Sequence, residues 1–95
     1  MVVGCLRIEL FISDGLTLKD KRRVVKSLLG RLQTRFNVSA AEVDKLDDKR
    51  HAVLGAAYVS NSQAQADRVL NAVLRFIEAE PRASVVACET DYLPA

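Results

Sequence analysis

From Val2 to Ile12 the chain alternates: Val2, Leu6, Ile8, Leu10 and Ile12 fall on one face, and Val3, Cys5, Arg7, Glu9 and Phe11 on the other. That is the period of a strand with one face buried. The stretch SDGLT breaks the pattern, because Gly15 can take a positive φ and Thr17 stands three residues before Asp20, the spacing of an N-cap. A helix is expected to start there. At about 100° per residue, Leu18, Val24, Val25, Leu28, Leu29, Leu32 and Phe36 share a broad arc, while Lys19, Arg22, Arg23 and Lys26 gather on the opposite side. Lys21 falls on the apolar side by angle, so its stem is expected to snorkel outward near the helix end. Asn37 can close the helix.

The second half repeats the logic. VSAAEVD reads as a strand, KLDDK as a charged hairpin loop, and RHAVLGAAYVS as a strand apolar enough to be central. In SNSQAQ, Ser62 and Gln65 have the spacing of a capping box, after which Val69, Leu70, Val73, Leu74, Phe76 and Ile77 share one helical face until Pro81 ends it. ASVVACETDY is the last strand. The order β-α-β-β-α-β, with no linker or low-complexity tract, predicts one α+β domain over residues 1–95. Two strand-helix-strand units give a ferredoxin-like sandwich, a four-stranded antiparallel sheet with two helices on one face. The first and third strands are then central, and the far face of the sheet is left uncovered. Such a face must be polar, paired with another subunit, or used for binding.

Composition narrows the class. Hydrophobic residues at 49% and charged residues at 27% suit a soluble, folded chain. The run HAVLGAAYV is far shorter than the roughly 20 residues that cross a bilayer, and MVVGCLRIEL carries Arg7 and Glu9. Neither a membrane span nor a secretory segment is expected, and a membrane is not an expected partner. Cys5 and Cys88 match neither metal-ligand spacing nor a disulfide framework, so reduced thiols in a cytoplasmic protein are expected.

Net charge is only +2, but it is unevenly placed. Between Thr17 and Phe36 there are seven basic residues, Lys19, Lys21, Arg22, Arg23, Lys26, Arg31 and Arg35, against the single acid Asp20, a local charge of +6 that leaves −4 for the rest. Cations early in a helix oppose its macrodipole, so helix stability does not explain Lys19, Lys21, Arg22 and Arg23. Three uses fit such a face: solvation, an anion or RNA-phosphate surface, or an acidic protein partner. Gly30 lies on the same side as Lys19, Arg23 and Lys26 and leaves room for close approach.

Catalytic signals are sparse. His51 begins a strand with no neighbouring nucleophile, and the four glycines make no phosphate-cradling motif. Asp44, Asp47 and Asp48 depart from a calcium-loop spacing and read as a solvated hairpin tip. No metal or cofactor is expected. The aromatic stacking platform of an RNA-recognition motif is missing too, since the third strand offers only Tyr58 and the first only Phe11.

The segments LKDKRRVVKSLLGRL, RFNVSAAEVD and AVLGAAYVSN together resemble the bacterial YlxP-like family, of unknown function, over nearly the whole chain. Thr17 stands where that family usually has serine, which preserves N-capping, and the hairpin DKLDDKR lacks an aromatic often present there. The resemblance implies a ferredoxin-like fold and genes lying among translation and ribosome-maturation factors, beside ribosome-binding factor A. It implies no activity. The expectation is therefore a non-enzymatic accessory protein that binds ribosomal RNA or a ribosomal subunit or precursor. Lys19, Lys21, Arg22, Arg23 and Lys26 would touch phosphates, with Arg31 and Arg35 extending the track. The alternative is a homodimeric structural or small-ligand-binding module, paired through its open sheet face or an edge strand, with no nucleic-acid role.

Overall fold

The computed structural model describes residues 1–15 and 17–94; Leu16 and Ala95 lie outside the described residues. The elements are β1 (Val2–Ile12), α1 (Leu18–Phe36), β2 (Ser39–Asp44), β3 (His51–Ser60), α2 (Gln63–Glu78) and β4 (Ala83–Pro94). The strands form one four-stranded sheet in the order β2-β3-β1-β4, every neighbouring pair antiparallel. This is the expected ferredoxin-like arrangement, with β1 and β3 central. β4 runs two residues past the stretch that the pattern marked.

The alternation in β1 sends Leu6, Ile8, Leu10 and Ile12 into the helix-facing core, where Leu54 and Ala56 of β3 join them. The apolar arc of α1 supplies Val24, Val25, Leu28 and Leu32, and α2 supplies Leu70, Val73 and Ile77. Gly4 lets α2 come close to β1: a Cβ there would stand 2.8 Å from Leu70 Cδ1 and 3.4 Å from Ala66 Cβ.

The helix starts differ. Thr17 Oγ1 accepts the Asp20 N–H (3.1 Å) while Asp20 Oδ2 accepts the Thr17 N–H (3.2 Å), a complete capping box. Ser62 Oγ accepts the Gln65 N–H (3.3 Å), but Gln65 does not reciprocate; its Oε1 takes a bond from Arg68 Nη2 (2.6 Å). Gly15 has the positive φ its turn requires (+85°). Asn37 closes α1 in the left-handed region at φ 52°.

Register also places the cysteines. Cys5 lies opposite Ala57 and Asp91 on the open face, whereas Cys88 lies opposite the core residue Ile8 and so belongs to the helix side. The two thiols are free and on opposite faces of the sheet. The helices leave the middle of β4 uncovered, so Val86, Cys88 and Thr90 are exposed. No helix among the described residues is long and apolar enough to cross a membrane.

Candidate functional site

The seven cations of α1 do not share one fate. Lys19, Arg22, Arg23 and Lys26 are exposed along one side of the helix, as its period predicts. Arg22 reaches Asp47 of the β2–β3 hairpin at 3.6 Å, but both side chains are mostly in solvent, where such a pair holds little. Lys19, Arg23 and Lys26 make no ion pair with any described residue. The capping box brings a carboxylate, Asp20, to the positive end of the helix. That offsets part of the cost of putting cations there.

Lys21 corrects the expectation. Instead of snorkelling it is fully buried, at 0% exposure. Its Nζ donates to Glu42 Oε2 (2.5 Å) and to the carbonyls of Lys45 (2.9 Å) and Leu46 (3.3 Å). All three of the ammonium's donors are used, which is what a buried cation needs. Lys21 pins the β2–β3 hairpin to α1 and has nothing left for a phosphate.

Arg31 and Arg35 do not extend the track either. They sit more than about 100° around the helix axis from the centre of the four-cation face. Arg31 Nη2 donates to Glu80 Oε1 (2.7 Å), and its guanidinium stands 5.4 Å from the Phe76 ring centre. Arg35 lies 5.7 Å from Phe36 and 5.3 Å from Phe76, so the two arginines cover an aromatic pair that itself packs edge to face. Glu80 went unnoticed in the sequence. It is buried and accepts from Arg82 Nε (2.9 Å), Arg82 N (3.1 Å) and Arg82 Nη2 (3.0 Å) as well as from Arg31. The Arg82 guanidinium, working against burial and joined by Arg31, holds the Glu80 carboxyl down at about 2, below its ordinary 4.5. This cluster ties α1 to the turn between α2 and β4.

Beside the exposed cations runs a groove of about 500 Å³ between α1 and β2, bordered by Arg22, Lys26, Gly30 and Gln33. Apart from its chain neighbours and the helix's own backbone, no described atom lies within 4 Å of where a Gly30 Cβ would stand, so packing among the described residues does not call for a glycine at that position.

The remaining candidates serve structure. Asp48 Oδ1 accepts the N–H groups of Arg50 and His51 (both 2.8 Å), and those bonds, Arg50 first, hold its carboxyl below the usual carboxylate range. His51 Nδ1 lies 3.3 Å from the same oxygen, and its ring meets Phe11 edge-on at 5.6 Å. Asp44 is bonded to its neighbour Lys45 N (2.8 Å) and to Arg7 Nη2 (3.4 Å). The three hairpin aspartates are thus turned to separate partners.

The open sheet face can be read in rows across the strands. Val59, Val3 and Leu93 form the first; Ser39, Ala57, Cys5 and Asp91 the second; Ala41, Gly55, Arg7 and Glu89 the third. Asp44, Val53, Glu9 and Ala87 follow, then His51, Phe11 and Ser84. Val43, displaced by a break in the β2–β3 register, leans over Gly55, with Cγ1 3.1 Å from a Cβ built there. The small residues of the second and third rows floor a shallow trough of about 470 Å³.

Comparison with known proteins gives a family and a fold. The family model described as a protein of unknown function (DUF503) matches residues 3–90. The "Uncharacterized protein YlxP" of Bacillus subtilis (strain 168) is 35% identical over 91 residues, which is 96% of this chain and 99% of that protein. Among solved structures, a mutant of SnoaB, a cofactor-independent oxygenase from Streptomyces nogalater, superposes with a TM-score of 0.53 over 97% of this chain and 92% of that one. At 16% identity that likeness is one of fold alone.

Proposed function

We propose that the chain, which belongs to the DUF503 family of proteins of unknown function, is a cytoplasmic RNA-binding accessory protein that grips phosphates with the outward side of α1. The observation that carries this reading is the contrast in pairing. Arg7, Lys21, Arg31, Lys45 and Arg82 each meet a carboxylate within 4.0 Å, while Lys19, Arg23 and Lys26 meet none among the described residues and share one side of α1 with Arg22, whose only carboxylate, Asp47, is mostly in solvent; the other cations without an ion pair, Arg35, Lys49, Arg50, Arg68 and Arg75, lie away from that side, in the hairpin, on α2 and on the far side of α1. Cations left uncompensated on one face present a concentrated positive field.

The make-up of that face favours nucleic acid over an acidic protein. Protein interfaces draw their energy from buried aromatic or aliphatic anchors. The stripe from Lys19 through Arg23, Lys26 and Gly30 to Thr34 and Asn37 contains none. Phosphate contacts need only cations and donors, and they position without reading sequence. With no aromatic on this stripe of α1, binding is to the backbone rather than to particular bases, and the gene neighbourhood that the family resemblance implies favours ribosomal RNA as the target.

The role is one of binding rather than chemistry. The single imidazole, His51, is engaged with Asp48 and Phe11, and no hydroxyl or thiol among the described residues is hydrogen-bonded to it.

Co-sedimentation with ribosomal subunits at low salt tests the reading. The wild-type protein is expected to pellet with them, with log affinity for single-stranded RNA falling at a slope of about −3 against log salt, as four phosphate contacts require. The variant R22E/R23E/K26E is expected to stay in the supernatant; unchanged pelleting of that variant would sink the assignment.

A further inference from the structure

We infer that the open face of the sheet is a homodimer interface, seating the same face of a second copy. Seven large hydrophobic side chains are exposed among the described residues, and four of them, Phe11, Val43, Val59 and Leu93, are on this face. Val59 and Leu93 flank Val3 in register, so three strands together raise one apolar ridge at the end of the sheet. Directly beside it lies the trough floored by Ala41, Gly55, Ala57 and Cys5. A ridge next to a trough is a shape that can fit its own copy about a two-fold axis.

Area, charge and the sheet edges agree. The molecule's principal extents are 42, 20 and 19 Å, so a face along its long axis offers at most on the order of 800 Å² per partner, the size of a standard stable interface. Both cations on it are paired inside each copy, and neither needs a partner's carboxylate: Arg7 lies 3.4 Å from Asp44 and 4.0 Å from Glu89, and Lys45 lies 3.2 Å from Glu9. Asp91 adds a further negative charge, so the face repels nucleic acid and leaves that role to α1. Every buried side-chain polar atom among the described residues already has a partner, so none waits in the trough for a small polar ligand. The edges are defended against strand addition: β2 has only six residues and a register break, and β4 carries a bulge at Val86 together with Glu89 and Asp91. Pairing through the face rather than an edge follows.

The test is sedimentation velocity of the full chain from low micromolar to several hundred micromolar concentration. Wild type is expected to sediment at twice the 10.5 kDa chain mass. V59E/L93E is expected to sediment as a monomer, with a dissociation constant raised at least about a hundredfold. R23E/K26E, which removes α1 cations, is expected to dimerise normally, so failure of the dimer and failure of the RNA reading are separable. A thiol-labelling measurement on wild type covers the case in which V59E/L93E does not fold. Alkylation of Cys5 should slow as protein concentration rises, while that of Cys88, on the opposite face, should not. A wild-type monomer throughout, a dimer that survives V59E/L93E, a concentration-independent Cys5 rate, or a monomer that carries a small molecule in native mass spectrometry would each overturn the inference.

Discussion

Two sides of one helix treat the same residue type in opposite ways. On the inward side of α1, Lys21 is stripped of water and held by one carboxylate and two carbonyls. On the outward side, Lys19, Arg23 and Lys26, two to five residues away along the helix, meet no carboxylate among the described residues. The inward lysine is part of the fold, because a buried ammonium must have every donor met. The outward ones contribute little to folding and are free for a partner. Counting cations would therefore overstate the proposed binding surface, and two questions correct it: which of them already have a counter-charge, and which share one side of the helix.

The sharpest way to break this contrast is at Lys21. Lys21→Ala leaves Glu42 and two carbonyls without their donor and is expected to cost about 3–5 kcal/mol in urea unfolding, whereas K21M/E42L should recover most of that loss. A cost for Lys21→Ala below about 1 kcal/mol would place it with the outward set. Next comes Glu80→Gln, which removes a charged acceptor from Arg31 and Arg82 and is expected to cost about 2 kcal/mol. Its pH signature is distinct. The Glu80 carboxyl is held at about 2 against an ordinary 4.5, so its stabilisation is complete above pH 4.5 and is lost as pH falls toward 2. The wild type should show that acid limb in thermal melts from pH 5 to pH 2, and Glu80→Gln should lose its share of it.

How far these contrasts could be read in advance depends on whether local periodicity decides them. The alternation of β1 and the apolar arc of α1 are local, and they place Leu6, Ile8, Leu28 and Leu32 without further information. The angle of Lys21 within the apolar arc was equally legible, but its partner was not. Glu42 reaches it only because β2 pairs with β3 at Glu42 opposite Leu54, a long-range fact. Charge summed along the chain groups Arg31 and Arg35 with Lys26, whereas their angles around the helix separate them from it. Glu80 gave almost no signal, since an acid before Pro81 looks like any solvated turn, and only Arg82 two residues later hinted at a partner. The separation of Cys5 from Cys88 also waited on register, because a one-residue slip would have put both thiols on one face.

Smaller effects sharpen the outward side. Thr17→Ala removes half of the capping box and should lower stability by about 1 kcal/mol, read from the shift in the urea midpoint. R23E/K26E should move stability by no more than about 0.5 kcal/mol, because these side chains touch nothing that folding needs. The same variant should nevertheless lose most of its RNA affinity in a filter-binding titration, while Arg35→Glu should retain it. Equal losses from both would mean that binding tracks total charge and not the face.

The Thr17–Asp20 cap carries one more implication, for geometry of approach. With a carboxylate already seated at the tip of α1, a phosphate of the proposed RNA ligand would be turned away from the helix end and would meet the cylinder broadside. The bare cations from Lys19 to Lys26 extend only about 10 Å along the axis, a footprint of a few nucleotides. One such clasp would be weak and quickly released. Two of them, carried on the outer layers of a sheet-to-sheet pair and facing away from each other, would act as a bivalent bridge between separate stretches of RNA, holding by valency what neither could hold by strength.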